Sequence, residues 1–455
     1  MQTTSVIQKP QKKQKLNRNR KCLGNLPEEV LRHILSFLPT KDVVKNSLLC
    51  KRLEYLWTSI PTLDFHQSHN SPAMKERKRT LFMNFVDRVL CLRGSSDIKR
   101  FTLCCDVLHD VSRVNTWISA ALRHNVQELY IELANFKGEF SLTYVLFTCK
   151  TLTSLHLNMS DIILKLPTTI CFSNLKILSI ENVIFPQQYL TRKLFSGLPV
   201  LEELKLKDCS WGNLLFLSIS SPKLHRLSIF EMQMPDDHYG DVRVGQVMIF
   251  GDSLKEFHYA GSLFGDYCLY NSFSLKKAVI DAYAEVISDQ FAYRTYKLLI
   301  GLSNVKFLKL YARVLENLKY APELPPHMPV FNNLMNLVFF DSWVDLDCEA
   351  LLKMLQGSPC LENLEFLGGI RLSSNCEEDD CILDPVPSCF LSHLKRIKVG
   401  RYHGSKKEFT AVKILLNNSV ALEEMVITCK EYFAWYIEEQ NHFNWNLEKQ
   451  ENHSE

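Results

Sequence analysis

Fifteen cysteines and fourteen histidines are the side chains of this sequence best suited to nucleophilic, acid–base or metal chemistry. Their spacing supports none of these. No two cysteines form a Cys-x-x-Cys pair and no His-Glu-x-x-His occurs, so the common zinc arrangements are missing. The chain also lacks a Gly-x-Ser-x-Gly elbow, a Gly-x-x-x-x-Gly-Lys-Ser/Thr loop and a Gly-x-Gly-x-x-Gly turn. Those patterns expose a nucleophile or cradle a phosphate. With only 16 glycines in 455 residues, other phosphate-cradling loops are not expected. The histidines are scattered and read as ordinary solvated side chains. The sequence predicts no catalytic residue, no metal ligand and no cofactor, and its function is sought among binding proteins.

Composition points the same way. A chain that is 46% hydrophobic and 23% charged is folded, and its length allows two to four domains or one long repeat array. Residues 1–21 hold seven basic residues (Lys9, Lys12, Lys13, Lys15, Arg18, Arg20, Lys21) and no acidic one. Removing those seven from 53 leaves 46 basic residues against 50 acidic. A net-negative body argues against nucleic acid as a partner along its surface, because phosphate contacts need clustered Lys and Arg. The 9–21 stretch reads either as a nuclear-import signal or as a disordered, solubilising tail. No run of 18 apolar residues exists and no apolar stretch follows the basic start, so neither a membrane span nor a secretory signal is expected. The expected location is the nucleus or the cytoplasm or both, with the cysteines as reduced, mostly buried thiols. The Asn-x-Ser sequons at Asn158, Asn417 and Asn452 are then chance matches.

The elements that position these side chains follow from a repeat. The pattern apolar-x-x-apolar-x-apolar starts at Ile98, Val126, Leu152, Leu175, Leu201, Leu224, Leu254, Leu275, Val305, Leu334, Leu361, Leu394 and Leu422. The mean step is about 27 residues, inside the leucine-rich-repeat range. In each unit the first apolar residue enters the core, and the next two are the inward positions of a short strand. Upstream of several strands lies a segment with helical spacing, as in LTRKLFSGLPV before Leu201, ALLKMLQGSPC before Leu361 and AVKILLNNSVA before Leu422. One such unit cannot bury its own apolar face, but stacked units can. The expected fold class is α/β, an irregular solenoid with a parallel concave sheet. Ala278 and Tyr259 stand where the repeat prefers Leu. The 33-residue step from Leu361 to Leu394 adds a loop with Glu377, Glu378, Asp379 and Asp380, solvated or in contact with a partner. The residue between each inward pair projects onto the concave face. His156, Ser179, Lys205, Ser228, His258, Lys309 and Glu365 therefore form a row of candidate binding residues on that face.

Residues 25–65 do not follow this repeat. Leu26, Val30, Leu31, Ile34, Leu35 and Leu38 form a helical stripe, with Pro27, Glu28 and Glu29 suited to a first turn. Pro39 stops this helix. A second one carries Val43, Val44, Leu48 and Leu49, and a brief third carries Leu53, Leu56 and Trp57. So small a unit either seals the first repeat or presents apolar side chains to a partner.

This segment resembles an F-box of the plant type. The matching residues are Leu26-Pro27-Glu28, Ile34-Leu35-Ser36-Phe37-Leu38-Pro39-Thr40-Lys41, Ser47-Leu48, Lys51-Arg52 and Tyr55-Leu56-Trp57. FVDRVLCLRGSSDIKRFTL at Phe85, WISAALRHNVQELYIEL at Trp117, LFTCKTLTSLHL at Leu146 and LFSGLPVLEELKL at Leu194 resemble the plant F-box family with leucine-rich repeats. The stretch from Ser388 to Ile427 resembles that family's FBD domain. Cys50 and Leu53 depart from the family pattern, which commonly has Ser before Lys-Arg and Trp after it.

The resemblance implies a domain order of basic tail 1–22, F-box 23–65, helical linker 66–97, leucine-rich repeats 98–385, FBD domain 386–430 and a C-terminal tail 431–455. It implies a non-enzymatic role as the substrate receptor of a Skp–cullin–F-box ubiquitin ligase. The partners would be a Skp-type adaptor, through it cullin and RING subunits, and a protein target. Adaptor anchors by analogy are Leu26, Pro27, Ile34, Leu35, Leu38, Pro39, Val43 and Leu48. Two alternatives stand beside this: a repeat scaffold outside any ligase, and a receptor whose small-molecule ligand holds the target.

Overall fold

The computed structural model of the protein describes residues 26–429 except 50, 68–74, 108–109, 137, 186–187, 212–214, 232–244, 284–287, 322 and 374–382. The acidic run at 377–380, the basic 9–21 stretch, Cys50 and the tail from 431 lie outside the described residues.

Helices α1 (Glu28–Leu35) and α2 (Thr40–Asn46) open the chain, each entered through a proline, Pro27 and Pro39. The predicted third helix is only a 3-10 turn over Leu56–Ser59. Strand β1 (Thr62–His66), helix α3 (Lys75–Leu92), β2 (Arg100–Asp106), α4 (Val111–Arg123), β3 (Glu128–Ala134) and β4 (Glu139–Ser141) follow. Next come β5 (Ser154–Lys165), β6 (Ile177–Ile184), α5 (Gln188–Ser196), β7 (Glu203–Lys207), β8 (Phe216–Ser220), β9 (Arg226–Phe230) and β10 (Gln246–Phe250). Then β11 (Glu256–Gly261), β12 (Asp266–Tyr270), β13 (Lys277–Ala282), α6 (Asp289–Gly301), β14 (Phe307–Tyr311), α7 (Arg313–Asn317) and β15 (Asn336–Phe340) lead into the last third. That part holds β16 (Val344–Asp345), α8 (Glu349–Gln356), β17 (Asn363–Phe366), β18 (Ile370–Arg371), α9 (Ser388–Ser392), β19 (Arg396–Val399), α10 (Lys406–Asn418) and β20 (Glu424–Ile427).

One long sheet runs β1-β2-β3-β5-β6-β7-β9-β11-β13-β14-β15-β17-β19-β20, with β4 paired to β5. Its neighbours along this path are parallel, as expected for strands joined by crossovers through a second layer. All thirteen predicted motifs place a strand in this sheet, each beginning at the third residue of the motif. Besides β4, the sheet has one strand more than the thirteen motifs supply. Ile60-Pro-Thr-Leu63-Asp-Phe65 obeys the same rule, and β1 belongs to the solenoid rather than to the helical module before it.

In every unit from Ile60 to Val399 the three apolar motif positions are at most 2% exposed. From Leu63 onward they form one continuous core with Met83, Val86 and Val89 of α3 and Leu194 and Phe195 of α5, while Ile60 closes the core of the helical module. The layer behind the sheet is not all helical. Between α5 and α6, strands β8, β10 and β12 form a second parallel sheet in the order β12-β10-β8. Helix α5 packs on β8 and α6 packs on β12.

This stretch also explains Tyr259, the aromatic in a leucine position. Its hydroxyl donates to the buried Glu231 carboxyl at 2.5 Å and accepts from the Leu263 N–H at 2.7 Å. The Tyr267 hydroxyl donates to the other Glu231 oxygen. Burial pushes the Glu231 carboxyl up in pKa, and the two hydroxyls hold it back. A side chain at Gly261 would meet the Glu231 Cβ at 2.6 Å, so the network needs a glycine there.

Candidate protein-docking site

The site residues expected from the sequence lie on two surfaces. The first is the N-terminal module. Leu31 and Leu35 of α1, Val43 of α2, and Leu53, Leu56 and Ile60 close a small core. Helix α1 carries more apolar residues than that core can take, so a second group stays outside. Val30, Ile34, Phe37, Leu38, Leu48, Leu49 and Tyr55 are exposed, Phe37 at 69% and Leu48 at 86%. Exposed apolar clusters are a feature of interaction surfaces.

The eight anchors chosen from the sequence divide accordingly. Pro27, Ile34, Leu38, Pro39 and Leu48 are exposed, and Leu26 is half-buried against the module's core. Leu35 and Val43 do not fit a contact role, because they are 3% and 4% exposed inside that core. They hold the outer residues in place. Phe37 and Leu49 were not among the anchors. Their signal was an apolar stripe too wide for one buried face, but only the placement of α2 decides which part of it turns inward. Leu53, a departure from the family pattern, is likewise 5% exposed and supports the module from within.

The module is fixed to the sheet. The Thr40 hydroxyl accepts from the Asp64 N–H of β1 at 2.6 Å, and Val44 and Trp57 pack on the solenoid core. This contact also seals the first strand of the array.

The second surface is the concave face. The seven candidate residues stand in a single register: His156 opposite Ser179, then Lys205, Ser228 and His258 on successive strands. The row continues through Val279 to Lys309 and through Val338 to Glu365. It extends backwards through Tyr130 and Thr102 to Asp64, and forwards to Lys398 and Val426. Tyr130, Val279, Val338 and Lys398 were not chosen from the sequence, although the same motif position names them.

The row is more enclosed than a strand surface facing open solvent. Ser179, Ser228 and Lys309 are buried, and His156, Lys205, His258 and Glu365 are half-buried. Tyr130 stacks on the His156 ring, centroids 4.1 Å apart and nearly parallel. His156 Nε2 is buried without a hydrogen-bond partner, and burial lowers the ring's pKa to about 4. Nearby, Lys205 Nζ lies 2.8 Å from Glu181 Oε1, and burial of that carboxylate is outweighed by Lys205, which lowers its pKa. Farther along, Lys309 Nζ sits 4.4 Å above the Phe340 ring, a cation–π contact. Glu365 faces Lys398 at 3.9 Å.

This surface offers hydrogen bonds, mixed charge and aromatic faces. Among the described residues no group of His, Cys, Asp and Glu could hold a metal ion, and no helix is long and apolar enough to cross a membrane. The described cysteines are unbridged; Cys105, Cys149, Cys348 and Cys389 are buried.

Comparison with known proteins adds three family matches. Residues 23–64 match the F-box domain, 384–427 match the FBD, and 114–241 match the model described as FBD-associated F-box protein At5g56370, LRR repeats. F-box/LRR-repeat protein At3g59210 of Arabidopsis thaliana is 32% identical over 433 residues, covering 88% of this chain and 86% of its own length. From the same plant, F-box/LRR-repeat protein At4g14103 is 33% identical over 386 residues, covering 81% of this chain and 97% of its own. F-box/LRR-repeat protein At4g14096 is 30% identical over 426 residues, covering 90% of this chain and 88% of its own.

Proposed function

Because this chain belongs to the plant family of F-box proteins with leucine-rich repeats and an FBD domain, we propose that it is the substrate receptor of a Skp–cullin–F-box ubiquitin ligase. The observation that carries the reading is the apolar surplus of the N-terminal module: a closed core with seven large hydrophobic side chains left outside it. In this role Ile34, Phe37, Leu38, Leu48 and Leu49, with Pro27 and Pro39, enter a groove on the Skp-type adaptor. Desolvating these side chains drives binding, and the charges of the Glu28–Arg32 pair at 2.5 Å stay at the rim. Cullin and RING subunits join through the adaptor.

The mechanism is proximity rather than catalysis. The concave row from Tyr130 to Lys398 holds the protein target. The module, fixed to β1 through Thr40, holds the other end of the assembly. Target lysines then sit near a charged ubiquitin-conjugating enzyme at raised effective concentration. No residue of this chain supplies a reacting group.

The test is a double substitution, Ile34→Glu with Leu38→Glu, in the full chain. Co-purification with a Skp-type adaptor should fall at least a hundredfold, with thermal unfolding of the solenoid unchanged. If adaptor binding survives, this face is not the docking site. If the unsubstituted chain binds no adaptor at all, the scaffold alternative stands in its place.

A further inference from the structure

The carboxylates on the concave side of the long sheet are balanced by cations, with one exception. Glu128 pairs with Arg100, Glu181 with Lys205 and Asp281 with Arg313, and those farther along follow the same rule. Glu132 of β3 is half-buried, yet it forms no ion pair among the described residues. Its partners are neutral. The Tyr130 hydroxyl donates to Oε2 in a long hydrogen bond of 3.4 Å, and the Cys104 thiol lies beside the same carboxylate. A carboxylate partly withdrawn from water without a cation has lost hydration that no counter-charge restores.

The surrounding side chains leave room for a cation. Alternate residues of a strand share a face, so Tyr130 and Glu132 stand together on β3. The register sets Thr102 and Cys104 of β2 beside them, and Asp64 and His66 of β1 beyond. Two small side chains between longer ones make a trough whose walls are about 10 Å apart at the usual strand spacing. One face of the Tyr130 ring is taken by His156, nearly parallel at 4.1 Å. Its other face looks across the trough over Thr102. On the opposite wall the Asp64 carboxylate lies 2.7 Å from the His66 ring. Burial pushes the Cys104 thiol up in pKa, and the charges of Glu132 and Asp64 push it further. Both carboxylates therefore act on the same floor.

An aromatic face, a carboxylate without a counter-charge and a second carboxylate opposite define what fits. A metal ion does not, since no group of His, Cys, Asp and Glu among the described residues could hold one. A guanidinium fits all three features. It is planar enough to stack on the ring and can meet a carboxylate through two N–H groups, whereas an ammonium acts as a point charge.

We propose that the trough between β1 and β3 binds an arginine side chain of the target, stacked on Tyr130 and paired with Glu132. The proposal rests on the concave face as the target-binding surface, and it adds the class of residue that the target presents there.

Saturation-transfer NMR of the full chain with millimolar Nα-acetyl-arginine N-methylamide tests it, with the citrulline counterpart as a neutral isostere. The arginine probe should receive at least fivefold more saturation than the citrulline one. Glu132→Gln and Tyr130→Ala should each reduce the arginine signal at least fivefold. Glu424→Gln, at the far end of the sheet, should leave it unchanged. Equal saturation of the two probes overturns the proposal, as does an arginine signal that is absent or survives Glu132→Gln. Should Tyr130→Ala fail to fold, the isosteric Glu132→Gln decides alone. The probe needs neither adaptor nor target. Loss of adaptor binding with arginine binding intact counts against the receptor reading only, and the reverse result counts against this site only.

Discussion

The F-box module and the solenoid draw on the same aliphatic and aromatic residues and use them in opposite ways. In the solenoid each unit leaves its apolar trio at most 2% exposed from Ile60 to Val399, because each neighbour completes the one before. The module has no stack to join. About forty residues can close only a small core, and Phe37, Leu48 and Leu49 remain outside it. Apolar residues in the array therefore hold the fold together, whereas those on the outer side of the module are free of its core.

The sharpest way to break this contrast is a core deletion in the array. Leu206 of β7 is 1% exposed, and Leu206→Ala should cost about 2–5 kcal/mol of unfolding free energy in denaturant titration. A loss below about 1 kcal/mol would mean that the repeats are not close-packed there.

Next in size is the buried network behind β11. Removing the Tyr267 hydroxyl leaves one Glu231 oxygen without that donor in a site away from water. Tyr267→Phe should cost about 1–3 kcal/mol. Pairing it with Glu231→Gln should give less than the summed losses, since both changes act on one contact.

A smaller effect belongs to His156 on the concave face. Burial lowers its folded pKa from 6.5 to about 4. As pH falls from 7 towards 4, the unfolded chain takes up a proton that the folded chain refuses. Stability present above the unfolded value is lost across that window, on the order of 1–2 kcal/mol after allowing for partial exposure. A His156→Gln variant should show a flatter melting temperature against pH between 7 and 4. An identical slope would place the ring in water instead. Smallest in stability is Phe37→Ala, expected within about 0.5 kcal/mol of the parent, while adaptor affinity should fall at least tenfold.

Much of this molecule is legible in one dimension. Thirteen strand positions followed from the spacing of Leu, Ile, Val and Phe alone, because a strand shows its alternation within six residues. The fourteenth, from Ile60 to Phe65, carries the same spacing, but it directly follows the apolar run of the module. Strands β8, β10 and β12 also alternate in sequence. Their place in the fold is not legible there, because a layer behind the sheet can be helix or strand, and local pattern does not choose between the two. The concave row was predictable from motif position. Its degree of enclosure was not, since the burial of Ser179, Ser228 and Lys309 depends on the side chains that neighbouring strands place beside them.

The sequence by itself determined the repeat, the register of its inward residues and the presence of a separate apolar module, because each depends on neighbours a few positions apart. Only the tertiary structure decided which side of α1 faces inward, why Tyr259 and Glu231 tolerate burial, and what seals the first strand of the array. Those outcomes depend on contacts between residues far apart in the chain: Thr40 with Asp64 and Tyr267 with Glu231. Spacing along a chain carries no record of such distances until the backbone has folded back upon itself.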